Sequence, residues 1–186
     1  MPKQLFIEKW DQIHFLSDKL KQVLQANLHL QTIRKGETLY KQNERLHKTY
    51  FIVKGLLVGH RLEAHKSSVC WFLKEHDFIK DHDSLYHQRP AKHTVIATED
   101  STLLCLSYRD LQMINYTFPE ANIVAKNLLN YYLSYHQQRI SLLTIQNSTD
   151  RYHRFAEYFP WAVGRLKRGD IASFLNMSAE TLSRIR

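Results

Sequence analysis

Hydrophobic and polar positions follow three different periods along this chain, and each change of period marks a change of element. Between Phe6 and Leu24 the apolar residues Phe6, Trp10, Ile13, Phe15, Leu16, Leu20 and Leu24 recur at mixed three- and four-residue spacings, which gathers side chains on one helical face. One short amphipathic helix or two is expected there, with a break near Ser17-Asp18. From Leu28 to Leu106 the texture shortens to LHLQTIRK, ETLYKQ, TYFIVKG, LLVGHRLE, SSVCWFLK, TVIATE and STLLCLS, apolar runs cut by turn residues. So many short strands at close spacing predict a sandwich or barrel rather than a parallel sheet.

After Tyr108 helical spacing returns, first over Arg109–Ile114 and then in one long run opened by Pro119 at a first-turn position. No Gly or Pro interrupts the chain from there to Ile145, while Ile123, Val124, Leu128, Tyr131, Tyr132, Tyr135, Leu142 and Leu143 recur at helical spacing. Such a helix extends about 40 Å, further than one small domain covers, so a partner helix is implied. Ile123, Leu128, Tyr131, Tyr132 and Tyr135 are the candidates for that seam. The remaining segment, 147–186, is expected to fold as three helices over Thr149–Tyr158, Gly169–Leu175 and Ala179–Arg186.

With 44% hydrophobic and 24% charged residues in 186, a packed core is expected, in one large domain or in one medium domain with a small appendage. Lys and Arg number 26 against 18 Asp and Glu, a formal charge of +8, which suits a polyanionic partner such as DNA or an anionic membrane. The opening residues do not read as a secretory signal, no run is long enough to span a membrane, and Cys70 and Cys105 stand without the partners of a disulfide framework. A cytoplasmic protein is expected, its thiols packed in the core. No nucleophile elbow, P-loop, HExxH or paired CxxC occurs, so enzymatic activity is not expected.

The stretch RGDIASFLNMSAETLSRIR meets the steric demands of a helix-turn-helix one residue at a time. Ala172 is small where two helices approach, and Asn176 stands at the tight turn, where a left-handed conformation is tolerated. Ile171, Leu175, Met177, Leu182 and Ile185 supply the core, and Ser178 is placed to cap the second helix. Ala179, Glu180, Thr181, Ser183, Arg184 and Arg186 are left exposed on it, a polar and basic face suited to a major groove. Arg184 could pair with guanine, Glu180 could accept from a cytosine amine, and Ser178 and Thr181 could hold phosphates. Around this motif, 147–186 carries seven basic residues against four acidic ones, a net charge of +3.

On these residues, and on IRKGETLYKQNERLHKTYFIVKGLLVGH with Gly36 and Gly55 at its turns, the chain resembles the Crp/Fnr superfamily of transcription regulators over nearly all its length. The resemblance implies an α+β fold: a jelly-roll-like β-roll sensor domain with its N-terminal helix over 1–118, a dimerisation helix over 119–146, and a helix-turn-helix domain over 147–186. It implies a homodimer on double-stranded DNA, with RNA polymerase a candidate further partner and no membrane association. Ala179 stands where the family often has Arg, so a different operator is expected.

The effector cassette departs from the family pattern. Phe78-Ile79-Lys80 occupies the place of a Gly-Glu pair that takes a ribose, and Pro90-Ala91-Lys92 the place of an Arg-Ser pair that neutralises a cyclic phosphate. Loss of cyclic-AMP binding is therefore expected. Phe78, Ile79, Arg89, Ala91, Lys92 and Thr94 are the candidate pocket for an unidentified small molecule. Two cysteines cannot supply an iron–sulfur switch. His60, His65, His76, His82, His87 and His93 lack a recognised metal-ligand spacing, so no cofactor is predicted, with haem sensing left as the alternative. The rival reading of the whole chain is a ligand-binding or protein-interaction module on the same fold. Ala179 in the place of the family's Arg permits it; a polar face on a complete two-helix core argues against it.

Overall fold

The computed structural model describes residues 2–64 and 66–185. Two helices, α1 (Pro2–Ile13) and α2 (Asp18–Asn27), precede strands β1 (His29–Ile33), β2 (Thr38–Tyr40), β3 (Lys48–Lys54), β4 (Leu57–Glu63), β5 (Lys66–Leu73) and β6 (Phe78–Ile79). A short α3 (His82–His87), β7 (Thr94–Ala97) and β8 (Ser101–Ser107) complete the strand region. Helices α4 (Tyr108–Thr117), α5 (Pro119–Thr144), α6 (Ser148–Tyr158), α7 (Pro160–Val163), α8 (Arg168–Phe174) and α9 (Ala179–Arg184) follow.

The strands form two four-stranded antiparallel sheets, β1-β8-β3-β6 and β2-β7-β4-β5. Between them Ile52, Leu57, Ile79, Val95, Ala97 and Leu103 bury a common core. Gly55, at φ 114°, sits where a Cβ would come within 2.0 Å of the Ser101 hydroxyl, so no other residue fits that corner without displacing the strand.

On the first sheet, Phe6 and Trp10 of α1, Leu20 and Leu24 of α2, Ile114 of α4 and Val124 of α5 close over Phe51, Leu104 and Leu106. The expected break between the first two helices falls at His14–Ser17. There the Leu16 N–H donates to Asp11, and Ser17 caps α2 while donating to Glu120 Oε1 at 2.6 Å. Phe15 lies in this break and is exposed, outside the stripe that its spacing suggested.

The second sheet is covered differently. Leu56, Val58, Val69 and Phe72 share one buried cluster with Phe155, Phe159, Phe174, Leu175 and Leu182. A unit of about 40 residues has too little interior to stand alone, and here it borrows a sheet to close its core. The structure adds β6, α3 and α7 to the expected elements. Each is short, and none carries enough periodic apolar positions to register in the sequence.

Candidate nucleic-acid interface and sensor cavity

The end of the chain is built from α8 and α9 and the turn between them. Asn176 takes φ 51°, and the Met177 N–H returns to the Ala172 carbonyl at 2.9 Å, which closes the turn. The Ser178 hydroxyl accepts from the Thr181 N–H at 3.0 Å and pairs with the Thr181 hydroxyl at 3.1 Å, capping α9 and leaving one of the two hydroxyl protons free. Ile171, Ala172, Leu175 and Leu182 are buried, with Met177 and Ile185 packed beside them. Ala179, Glu180, Ser183 and Arg184 face solvent and Thr181 is half-buried; Arg186 lies outside the described residues. The Glu180 backbone N–H and the Ser178 hydroxyl hold the Glu180 carboxyl below its usual range, so it stands ionised as an acceptor.

Much of the positive charge counted around this motif is already spoken for. The Arg151 guanidinium donates to the Ile145 carbonyl at 2.7 and 2.9 Å and to the Leu175 carbonyl at 2.8 Å, tying the end of α5 to the turn. Arg168 donates to the Leu182 carbonyl at 2.6 Å, and Arg154 pairs with Glu157. Arg165 reaches across to the β-roll and grips Glu75 at 2.8 and 2.9 Å and Glu99 at 2.7 and 3.0 Å. Lys167 and Arg184 have no ion-pair partner among the described residues.

The same unit is held on β5. The Val69 N–H donates to the Ser173 hydroxyl at 2.9 Å, and Arg139 of α5 donates to the Val69 carbonyl at 3.2 Å. Its guanidinium lies 4.8 Å from the centre of the Phe174 ring, which in turn meets Phe72 at 4.5 Å.

Arg165 hydrogen-bonding outweighs burial and holds the Glu75 carboxyl at about 2, with the Gly55 N–H adding to it. A folded-state value below the ordinary 4.5 means that this clamp stabilises the docked arrangement above that pH and is lost as pH falls toward 2. Hydrogen exchange followed downward from neutral pH is expected to show the α7–α8 amides opening before the strand core. Simultaneous opening would show that the clamp does not hold the unit.

A cavity of about 240 Å³ lies between β5, β6 and α5, lined among others by Trp71, Phe78, Ile79, Lys80, His82 and His136. Of the six residues expected to form an effector pocket, Phe78 and Ile79 line it and Arg89, Ala91, Lys92 and Thr94 do not. Ala91 is buried in the roll, its amide N–H held by the Glu44 carbonyl at 2.8 Å. The Lys92 ammonium pairs with Asp83 and its amide with Asp81, Arg89 is exposed, and the Thr94 hydroxyl accepts from the Gln42 N–H. Lys80, His82 and His136 replace them as the polar groups of the cavity, and burial pulls Lys80 down from its usual value. Lys80 was legible as an oddity in the cassette; His136, 56 residues further along the chain, was not.

Helix α5 carries two apolar stripes. Tyr132 accepts from the Phe78 N–H at 2.6 Å, Tyr135 both accepts from and donates to the Phe72 backbone, and Leu128 packs against the first cluster. These three expected seam residues face the chain's own roll. Their inward turn has a plain cause: a phenol on a helix can satisfy strand backbone that its neighbours leave open. Ile123 and Tyr131 are exposed, but the larger outward stripe is Leu129, Leu133, Ile140 and Leu143.

Among the described residues no group of three or more His, Cys, Asp or Glu could hold a metal, and no helix is long and apolar enough to cross a membrane. His65 is outside the described residues.

Residues 30–114 match the cyclic nucleotide-binding domain family. No curated protein matches the sequence. Among solved structures, the chain is similar to CLP, the c-di-GMP responsive global regulator of Xanthomonas campestris, at 16% identity over 91% of this chain and 89% of that one, with a TM-score of 0.75. It is similar to a crp/fnr-family regulator from Eubacterium rectale at 17% identity, 91% and 82% coverage and a TM-score of 0.74. FixK2 from Bradyrhizobium japonicum aligns at 17% identity, 85% and 82% coverage and a TM-score of 0.70.

Proposed function

We infer that this chain, which carries a cyclic nucleotide-binding domain and fits the Crp/Fnr superfamily, is a sequence-specific DNA-binding transcription regulator that acts as a homodimer. The observation that carries this reading is α9: a capped helix with Glu180, Ser183 and Arg184 exposed on one side and Leu182 buried on the other. A helix held by its back, with a guanidinium on its front that has no ion-pair partner among the described residues, suits insertion into a major groove. Paired through the outward stripe of α5, two such helix-turn-helix units read half-sites about 34 Å apart, one turn of DNA.

The test is selection from a pool of randomised duplexes. Enrichment of a two-fold symmetric motif with half-sites one turn apart is expected. Salt-dependent binding with no enriched motif would move the reading to an interaction module on the same fold.

The cavity supports a sensor that does not use cyclic AMP. It offers no carboxylate for a ribose among its lining residues, and Lys92, which stands in the sequence at the place of the phosphate-binding pair, is already paired with Asp83. Calorimetry with cyclic AMP is expected to show no saturable heat at low-micromolar concentration; a saturable isotherm there contradicts this. A signal arriving in the roll has two routes to α9: the α5 pair, and the grip of β5 and Arg165 on the C-terminal unit. Either biases the population of dimer geometries able to span two half-sites.

A further inference from the structure

The sensor cavity has a floor and a rim. Among its lining residues Leu73, Ile79 and Tyr135 are buried and Trp71, Phe78, Lys80 and Tyr132 half-buried, whereas His82, Leu129, Leu133 and His136 are exposed. Rings dominate the floor, and the two phenols are engaged with strand backbone at Phe78 and Phe72. Lys80 is the one permanent cation that lines the cavity, and no Asp or Glu lines it.

Nor does Lys80 find an anion elsewhere. It also borders a second cavity, of about 40 Å³, lined by Phe6, Trp10, Leu104 and Leu111 among others and again by no acid. The acids close to it in sequence are taken: Asp77 accepts from the Lys74 N–H, Asp81 from the Ser84 and Lys92 N–H groups, and Asp83 pairs with the Lys92 ammonium. Among the described residues Lys80 has no ion-pair partner, and its ammonium lies 6.0 Å from the centre of the Tyr86 ring. A half-buried ammonium gives up water and regains no anion from its own chain, so a ligand that brings one meets a need the fold leaves open.

We propose that this cavity binds an aromatic monocarboxylate, with the carboxylate on Lys80 and the ring system against Trp71, Phe78 and Tyr132. The assignment rests on the reading of the cavity as a sensor and names the class of its ligand. One permanent positive charge matches a monoanion, and no arginine lines the cavity to grip a phosphate through two bonds. Desolvation and the charges of Arg139 and His93 hold the His136 imidazole below its usual value, so at neutral pH it offers a neutral N–H to the second carboxylate oxygen rather than a second charge. A cavity of about 150 Å³ takes one benzene ring. At about 240 Å³ this one has space for a single or fused ring together with its carboxylate. Leu129 and Leu133, on the rim, belong also to the outward stripe of α5, which sets the bound acid against the surface through which two chains are proposed to pair.

The test is calorimetry on the full chain with benzoate, phenylacetate, indole-3-acetate and 2-naphthoate, each beside its uncharged carboxamide. At least one acid is expected to saturate below about 1 mM, and its amide to bind roughly 10- to 100-fold more weakly. Lys80→Met is expected to abolish that preference, so that acid and amide bind alike. Arg89→Met, which removes an equal charge from outside the cavity, should leave the preference intact. Saturation by none of the acids, or equal affinity for acid and amide in the wild type, overturns the assignment, and both are read without any variant that must fold. A preference that survives Lys80→Met overturns the role of Lys80. Cyclic AMP run in parallel separates this from the sensor reading: no binding of either class sinks the aromatic acid alone, whereas saturation by cyclic AMP sinks the reading on which it rests. No arm uses DNA, so a failure of operator selection is told apart from both.

Discussion

Ile140→Glu is expected to convert the proposed dimer to monomer and to abolish operator binding while leaving the roll folded. Ile140 is 62% exposed in the single chain and shares its outward stripe with Leu129, Leu133 and Leu143. The spacings of four, seven and three residues between them keep one face of a helix in register with a partner, with His136 at the skipped position. Ile140 is absent from the buried clusters of its own chain, so its replacement costs the monomer little. In a two-fold pair the same substitution places two carboxylates at one seam, each losing water without a cation to replace it. Association weakened by about 100-fold or more is the consequence, read by sedimentation equilibrium. A variant as dimeric as the wild type would place the seam elsewhere.

Phe174→Ala is expected to release the C-terminal unit from the roll. The Phe174 ring is fully buried and meets Phe72 at 4.5 Å, Phe155 at 5.9 Å and Phe159 at 6.1 Å, with the Arg139 guanidinium on its face. Truncating a buried phenylalanine to alanine costs about 3–5 kcal/mol, lost contacts and residual cavity together. The unit has no second core to fall back on, since the cluster that Phe174 fills is shared with β4 and β5. The core between the sheets, around Ile52, Val95 and Leu103, does not include it. Thermal unfolding followed by far-UV circular dichroism should therefore split, with a low-temperature loss of helix ahead of the strand transition. A single transition at the wild-type temperature would mean that the unit is stable by itself.

What the sequence could convey depended on whether one local pattern carried the information. The long helix was legible because an uninterrupted run from Pro119 leaves the chain no other element, and it ends at Thr144, one residue before Ile145. The final two helices were legible because Ala172, Asn176 and Ser178 each meet a steric demand that few residues meet. Which side of α5 is free to pair was not, because α5 is apolar on two sides and period alone does not say which side turns to the chain's own roll. Tyr132 and Tyr135 turn inward to bond strand backbone, a preference set by residues 72 and 78 far away in sequence. The cavity was half legible: Phe78 and Ile79 lie in it, but α3 and the Lys92–Asp83 pair carry the rest of the cassette elsewhere. Nor could a count of arginines separate Arg151, Arg165 and Arg168, which hold the fold together, from Arg184, which does not.

That separation is what the account turns on, and a titration of a selected operator with wild type and Arg184→Ala tests it most directly. The wild type is expected to bind the operator about 10³-fold or more tighter than a scrambled duplex. Arg184→Ala should lose roughly 10- to 100-fold on the operator and little on the scramble, and should no longer distinguish the guanine that Arg184 is proposed to read. An equal loss on both duplexes would make Arg184 a phosphate contact, and no loss on either would mean that α9 does not enter the groove.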